Sequence, residues 1–238
     1  MLDPIGGFRR IQDFFISYIE TSFRIADPSV SASRRNLLNS SGEFAAEPYI
    51  EPVLRYESSD KTLEALAEME GGPPNSLSCK GRKAFAELAL SGLFDSKPGD
   101  EVWPRRSVHA PYSHQTQMLE RGISPGCPGI VTSGTGSGKT ESFMLPILAA
   151  LSNEAVSWAA PCDGYLQNRW WNDEKTSWVS RREGEKRPAA VRALVLYPMN
   201  ALVEDQMARL RKTLDSDDAR LVMQHRFARN RIFFGQYT

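Results

Sequence analysis

Cysteine is scarce in this sequence. Cys79, Cys127 and Cys162 lie far apart, and no Cys-x-x-Cys pair occurs. That excludes a zinc site built on paired cysteines, and an odd number of thiols argues against a disulfide framework. A reducing cytoplasm is the compartment such usage fits. Net charge is also missing: 29 basic residues balance 29 acidic ones. The chain does not advertise nucleic acid by bulk charge, so any such contact rests on local patches. The opening Met1-Leu2-Asp3-Pro4 has no basic segment followed by an apolar run, so it does not read as a signal peptide. No stretch approaches the ~20 apolar residues that span a bilayer, and no membrane partner is expected. No internal repeat is visible.

What is present suffices for a folded protein. The 238 residues are 41% hydrophobic and 24% charged, enough apolar material for one large domain or two small ones. Residues 8–24 place Phe8, Ile11, Phe15, Tyr18 and Ile19 at threes and fours, which predicts a helix with one apolar stripe. Asp27-Pro28 breaks that pattern, and 29–39 reads as a second short helix. Residues 40–60, with Gly42, Pro48 and Pro52, read as extended or loop. Helical patterns return at 61–70 and 82–94. Lys97-Pro98-Gly99-Asp100 reads as a turn and a domain boundary, giving a mainly helical region 1–104 and a second region 105–238.

The second region has a different grammar. A short helix is expected at 113–121. A brief apolar run, Gly129-Ile130-Val131-Thr132, leads into glycines and a helix from Lys139 to about Leu151. Residues 191–197 (VRALVLY) form a continuous apolar run of the kind found in strands buried on both faces. A helix at 201–213 and a strand at 231–237 (RIFFGQY) follow. Strand-loop-helix units in series predict an α/β fold with a parallel sheet. Between the first two units, about 153–190, lies an insert with Trp158, Trp170, Trp171 and Trp178 among many charges. Long loops of this kind are often functional; these tryptophans either pack or stack bases.

The segment Ser133-Gly134-Thr135-Gly136-Ser137-Gly138-Lys139-Thr140 carries the sharpest chemistry. A triphosphate needs many donors close to a backbone, and glycine permits that approach. The helix starting near Lys139 turns its free N–H groups and positive dipole end toward the phosphates. Lys139 reaches the β- and γ-phosphates, and the Thr140 hydroxyl ligates Mg²⁺. From average residue frequencies, Gly-x-Gly-Lys-Ser/Thr arises by chance in roughly one chain of this length in a hundred. The strict pattern has glycine where this chain has Ser133. The bland alternative is a glycine-rich turn before a helix.

Thr132 to Thr140 (TSGTGSGKT) resembles motif I of superfamily 2 helicases. Pro111-Tyr112-Ser113-His114-Gln115 resembles the Q motif, which implies that Gln115 reads the adenine edge. Leu196 to Gln206 (LYPMNALVEDQ) resembles motif Ia, implying backbone contacts to nucleic acid from Pro198, Asn200 and Ala201. Gly235-Gln236-Tyr237-Thr238 resembles motif Ib, implying further backbone contacts at Gly235, Tyr237 and Thr238. The wording is most similar to the large bacterial DEAD/DEAH-box helicases with a C-terminal domain of unknown function, some of them in phage-defence islands. The resemblance covers about 105–238. Similar leaders (DPIG, SYIET, EPYIEP) occur on such helicases.

The resemblance implies an incomplete RecA-like domain after a helical leader. It implies ATP and Mg²⁺ as cofactors, DNA as partner with RNA open, and other defence-system or repair proteins as further partners. Some positions have a second reading. Gln115 could be a surface residue, and Asn200 could simply cap its helix. His109 and His114 read as ordinary surface or packing residues. Glu204 and Asp205 read as solvated mid-helix charges. The acidic pair of the DExH or DEAD box is not found, and Asp173-Glu174 has no apolar strand before it. Residues 1–238 are therefore expected to read as the front part of an ATP-dependent helicase or translocase, inactive alone because those charges carry much of the catalysis in phosphoryl transfer. The rival readings are a truncated or split-gene subunit working with a partner chain, and a small-molecule P-loop kinase.

Overall fold

A computed structural model describes residues 3–46, 48–49, 55–69, 76–95, 107–134, 136–167, 178–198 and 200–237. The chain divides into two compact units, Met1–Leu54 and Arg55–Thr238. The expected boundary near residue 104 lies outside the described residues.

The first unit holds α1 (Pro4–Ser22) and α2 (Pro28–Asn39). Both begin alike. An aspartate accepts hydrogen bonds from the free N–H groups of the first turn, and a proline follows where its missing N–H costs nothing. Asp3 accepts from Gly6, and Asp27 from Ser29 and Val30. Asp27-Pro28 thus starts a helix as well as ending the previous pattern. The apolar stripe of α1 is only partly covered: Ile16 is buried, while Ile11, Phe15 and Tyr18 are exposed.

The second unit contains α3 (Leu63–Glu68), α4 (Cys79–Leu90), α5 (Ser113–Ile123), α6 (Lys139–Ala155), α7 (Asn200–Leu214) and α8 (Asp217–Arg226). Its core gathers Leu63 of α3, Phe85 and Leu88 of α4, Leu119 of α5, Leu145 and Leu148 of α6, and Val222 and Met223 of α8. Each such side chain, fully buried, is worth about 1.5–3 kcal/mol. α6 lies at the centre, packed on both α4 and α5. The fit to α5 is close: a β-carbon on Gly122 would stand 2.5 Å from Pro146. At the other end, Asn153 accepts from the Ser78 N–H and hydroxyl, both at 2.9 Å, where Ser78 caps α4. Arg226 of α8 grips Glu87 of α4 through two hydrogen bonds of 2.6 and 2.7 Å.

The expected parallel sheet has no counterpart among the described residues. No strand ladder forms there; a single antiparallel β-bridge joins Ser58 to Tyr112, and Ser107 is a further bridge residue. Residues 129–132, 191–197 and 231–237 all run as backbone outside any strand, and among the described residues only side chains bond the start of the last, at Arg231 and Ile232. Their apolar character predicts strands, but a strand exists only through a hydrogen-bonded neighbour. No ladder joins any of the three to another among the described residues, and Ile130, Val191, Leu194 and Leu196 are exposed. No described helix is long and apolar enough to cross a membrane. All three cysteines are free and exposed.

Of the insert, Trp170, Trp171 and Asp173-Glu174 lie outside the described residues. Trp158 packs: it is buried against Phe227, with the Arg187 guanidinium 3.6 Å from its ring centroid. Trp178 is exposed.

Candidate nucleotide-binding site

The loop before α6 turns through two left-handed residues, Gly136 (φ 76°) and Gly138 (φ 73°). Only glycine takes such angles without strain. Gly136 faces open space, with nothing within 4 Å of where a β-carbon would sit. Gly138 is crowded instead, and a β-carbon there would stand 2.2 Å from Gln115 Nε2. Thr135 lies outside the described residues. α6 begins directly after Gly138, with no side-chain cap on its first amides; such helix N-termini favour anions.

Lys139 is exposed, and its ammonium folds back over the loop. It donates to the Ser133 carbonyl at 2.6 Å and the Gly134 carbonyl at 2.9 Å. An ammonium has three hydrogens, so one is left for a ligand. The Ser133 and Ser137 hydroxyls bond each other at 2.6 Å. Serine in place of the usual first glycine therefore closes the loop's base.

Gln115, on α5, is buried and braces the loop from behind. Its Nε2 donates to the Gly138 carbonyl at 3.1 Å, and its Oε1 accepts the Tyr112 N–H at 2.8 Å. His114, read from sequence as ordinary, also holds the loop: its Nε2 donates to the Ser137 carbonyl at 2.9 Å.

Thr140 is half-buried at the first turn of α6 and meets α7. Gln206 Nε2 lies 3.5 Å from Thr140 Oγ1, and Arg209 pairs with Glu141 at 2.9 Å and with Asp205 at 3.2 Å. Asp205 is thereby a surface ion-pair partner. An open groove of about 1380 Å³ joins these parts, lined among others by Gln115, Gly136, Lys139, Thr140, Tyr197 and Gln206. The Tyr197 hydroxyl is buried without a hydrogen-bond partner among the described residues, and burial raises its pKa above the ordinary 10.0.

Of the residues expected to touch nucleic acid, Pro198 is exposed immediately before α7, and Asn200 and Ala201 form its first turn. Gly235 and Tyr237 are exposed on the unpaired segment after α8. Thr238 lies outside the described residues. The structure thus gathers Gln115 and the loop around one groove and ties Thr140 to the helix that Asn200 begins. Sequence reasoning missed His114, Gln206 and Arg209. His114 carried a signal in its place next to Gln115; the other two follow the apolar run by a helix turn or more.

A family profile described as DEAD/DEAH box helicase matches residues 112–231. Among curated proteins, the chain is 33% identical over 223 residues to the Druantia protein DruE of Escherichia coli (strain UMEA 4076-1). That alignment covers 93% of this chain and 10% of the relative, so the chain spans about a tenth of the relative's length. It also extends the likeness through most of the helical leader. No solved structure matches the chain.

Proposed function

The chain belongs to the DEAD/DEAH box helicases, and from that footing we propose that loop 133–140 binds ATP with Mg²⁺ while the start of α7 grips a nucleic-acid backbone. The observation that carries this reading is the Lys139 ammonium, held over a loop with two left-handed glycines at the N-terminus of α6. The residues fit a triphosphate. Gly136 leaves the cradle open, the first amides of α6 supply donors, and Lys139 keeps one hydrogen to give.

In this reading Lys139 neutralises the β- and γ-phosphate oxygens, and the Thr140 hydroxyl takes a place around Mg²⁺, which supplies charge neutralisation when bound. Gln115 has one lone pair and one hydrogen beyond its two backbone bonds, the pair that an adenine edge takes. Gln206 and Arg209 sit on the helix that Asn200 begins, and they touch Thr140 and Glu141. A change at the nucleotide therefore reaches the Pro198, Asn200 and Ala201 corner through one rigid element. Gly235, Tyr237 and Thr238 add backbone contacts.

The larger activity proposed is that of an ATP-dependent DNA helicase or translocase. The likeness to a Druantia protein supports a place in genome defence, with other proteins of such a system as partners. The test is titration of a fluorescent ATP analogue. Lys139→Ala should weaken binding by at least about 10–100-fold, the value of a charged hydrogen bond. Equal affinity in the two proteins would defeat the reading. Displacement of a labelled single strand by unlabelled DNA or RNA of one sequence separates the two nucleic acids.

A further inference from the structure

Residues 55–59 precede the family match at 112–231, yet they pair with its first residues. Ser59 N–H donates to the Pro111 carbonyl and Ser113 N–H to the Glu57 carbonyl, both at 2.8 Å, around the antiparallel bridge between Ser58 and Tyr112. This pairing sets Tyr56 in an aromatic cluster. Its ring centroid is 5.7 Å from both Tyr112 and His114, and those two stack at 5.6 Å. From there the Tyr56 hydroxyl accepts the Gly134 N–H at 2.8 Å.

That N–H and the Ser133 carbonyl are the two ends of one peptide unit, which is planar and rigid. The carbonyl end accepts the Lys139 ammonium at 2.6 Å. Tyr56 and Lys139 therefore hold the same plate from opposite sides. If the plate rotates, Lys139 loses the shorter of its two anchors and the loop loses the shape that aims the remaining ammonium hydrogen.

We propose that Tyr56 is a positioning residue of the nucleotide site: through the Ser133-Gly134 peptide it fixes Lys139 for a nucleoside di- or triphosphate. The proposal rests on the nucleotide reading above and adds to it a residue from the leader.

Tyr56→Phe removes the hydroxyl and keeps the ring. ATP and ADP should bind about tenfold more weakly, the worth of one positioning hydrogen bond. Adenosine, which lacks phosphates, should change by less than about twofold. A merely structural tyrosine would shift all three together. Lys139→Ala is measured alongside. If wild type binds, Lys139→Ala fails and Tyr56→Phe matches wild type, the inference falls and the site reading stands. If wild type does not bind, both fall. Should Tyr56→Phe misfold, hydrogen exchange on wild type decides: a Gly134 amide that exchanges like an exposed one overturns the proposal, and a protected one supports it.

Discussion

Gln115 Nε2 donates to the carbonyl of Gly138 at 3.1 Å, across the contact between α5 and the phosphate loop. The same carbonyl accepts the Ser142 N–H at 3.1 Å. One glutamine thus joins the start of α5, through Tyr112, to the residue that caps α6. Gln115 is 3% exposed, so no water replaces what it gives.

Gln115→Ala should therefore do two things at once. Discrimination between ATP and GTP should weaken, because the amide proposed to read the base is gone. Affinity for both should also fall by about tenfold, because the loop loses its brace and the Tyr112 N–H its acceptor, at a cost of about 1–3 kcal/mol. Parallel titrations with ATP and GTP check this. Intact discrimination would assign Gln115 to bracing alone, and intact affinity would assign it to the base alone.

The helices were legible in the sequence. Apolar positions at threes and fours, turn residues between them and the glycine loop locate α1 to α7 to within a few residues. The predicted start of α1 at Phe8 misses Asp3 and Pro4, which carry the cap. α8 was overlooked although its signals are present: Ser216 accepts from the Ala219 N–H, and Ala219, Val222 and Met223 recur on one buried face. Its low hydrophobicity and position after a longer helix hid it. The phosphate loop was legible because glycine spacing, lysine and helix start are all local. Tyr56 was not, because its partner Gly134 is remote and a hydroxyl-to-amide bond leaves no pattern. The apolar runs announced strands but could not say what would lie beside them.

A pH dependence follows from the insert. Glu185 has a side chain only 3% exposed and accepts from Arg182, Arg187 and Tyr165. Arg187 also donates to the Arg231 carbonyl, so this knot fastens the segment after α8. Burial alone would raise the Glu185 carboxyl, but the hydrogen bonds from Arg187, Arg182 and Tyr165 outweigh it and hold it below the ordinary 4.5. A depressed carboxylate stabilises the fold above its unfolded pKa, and that stability is lost as pH falls through the folded value. At pH 7 Glu185→Gln should cost on the order of 1 kcal/mol, and the gap to wild type should close as pH falls below about 4.5. Urea unfolding across that range measures it. A gap that stays constant with pH would show that the charge contributes nothing.

The unpaired apolar runs have a consequence in solution. Val191, Leu194 and Leu196 are 84%, 77% and 81% exposed, and Ile130 is 88% exposed. Along an extended backbone Leu194 and Leu196 share one face and Val195 takes the other; Val195 is 41% exposed. Both faces of this run are therefore bare, and its N–H and C=O groups have no ladder. Such edges pair with other chains, and each Å² of apolar surface removed from water contributes about 25 cal/mol to the association. Residues 1–238 made alone should associate as concentration rises, and a chain that supplies neighbouring strands should suppress this. Leu194→Lys with Leu196→Lys should also reduce association, since charge on an edge opposes pairing. The melting temperature should hold, because these side chains pack on nothing in the core. Sedimentation velocity at rising concentration decides: a monodisperse wild-type chain would mean that the runs are covered in solution by contacts within the chain.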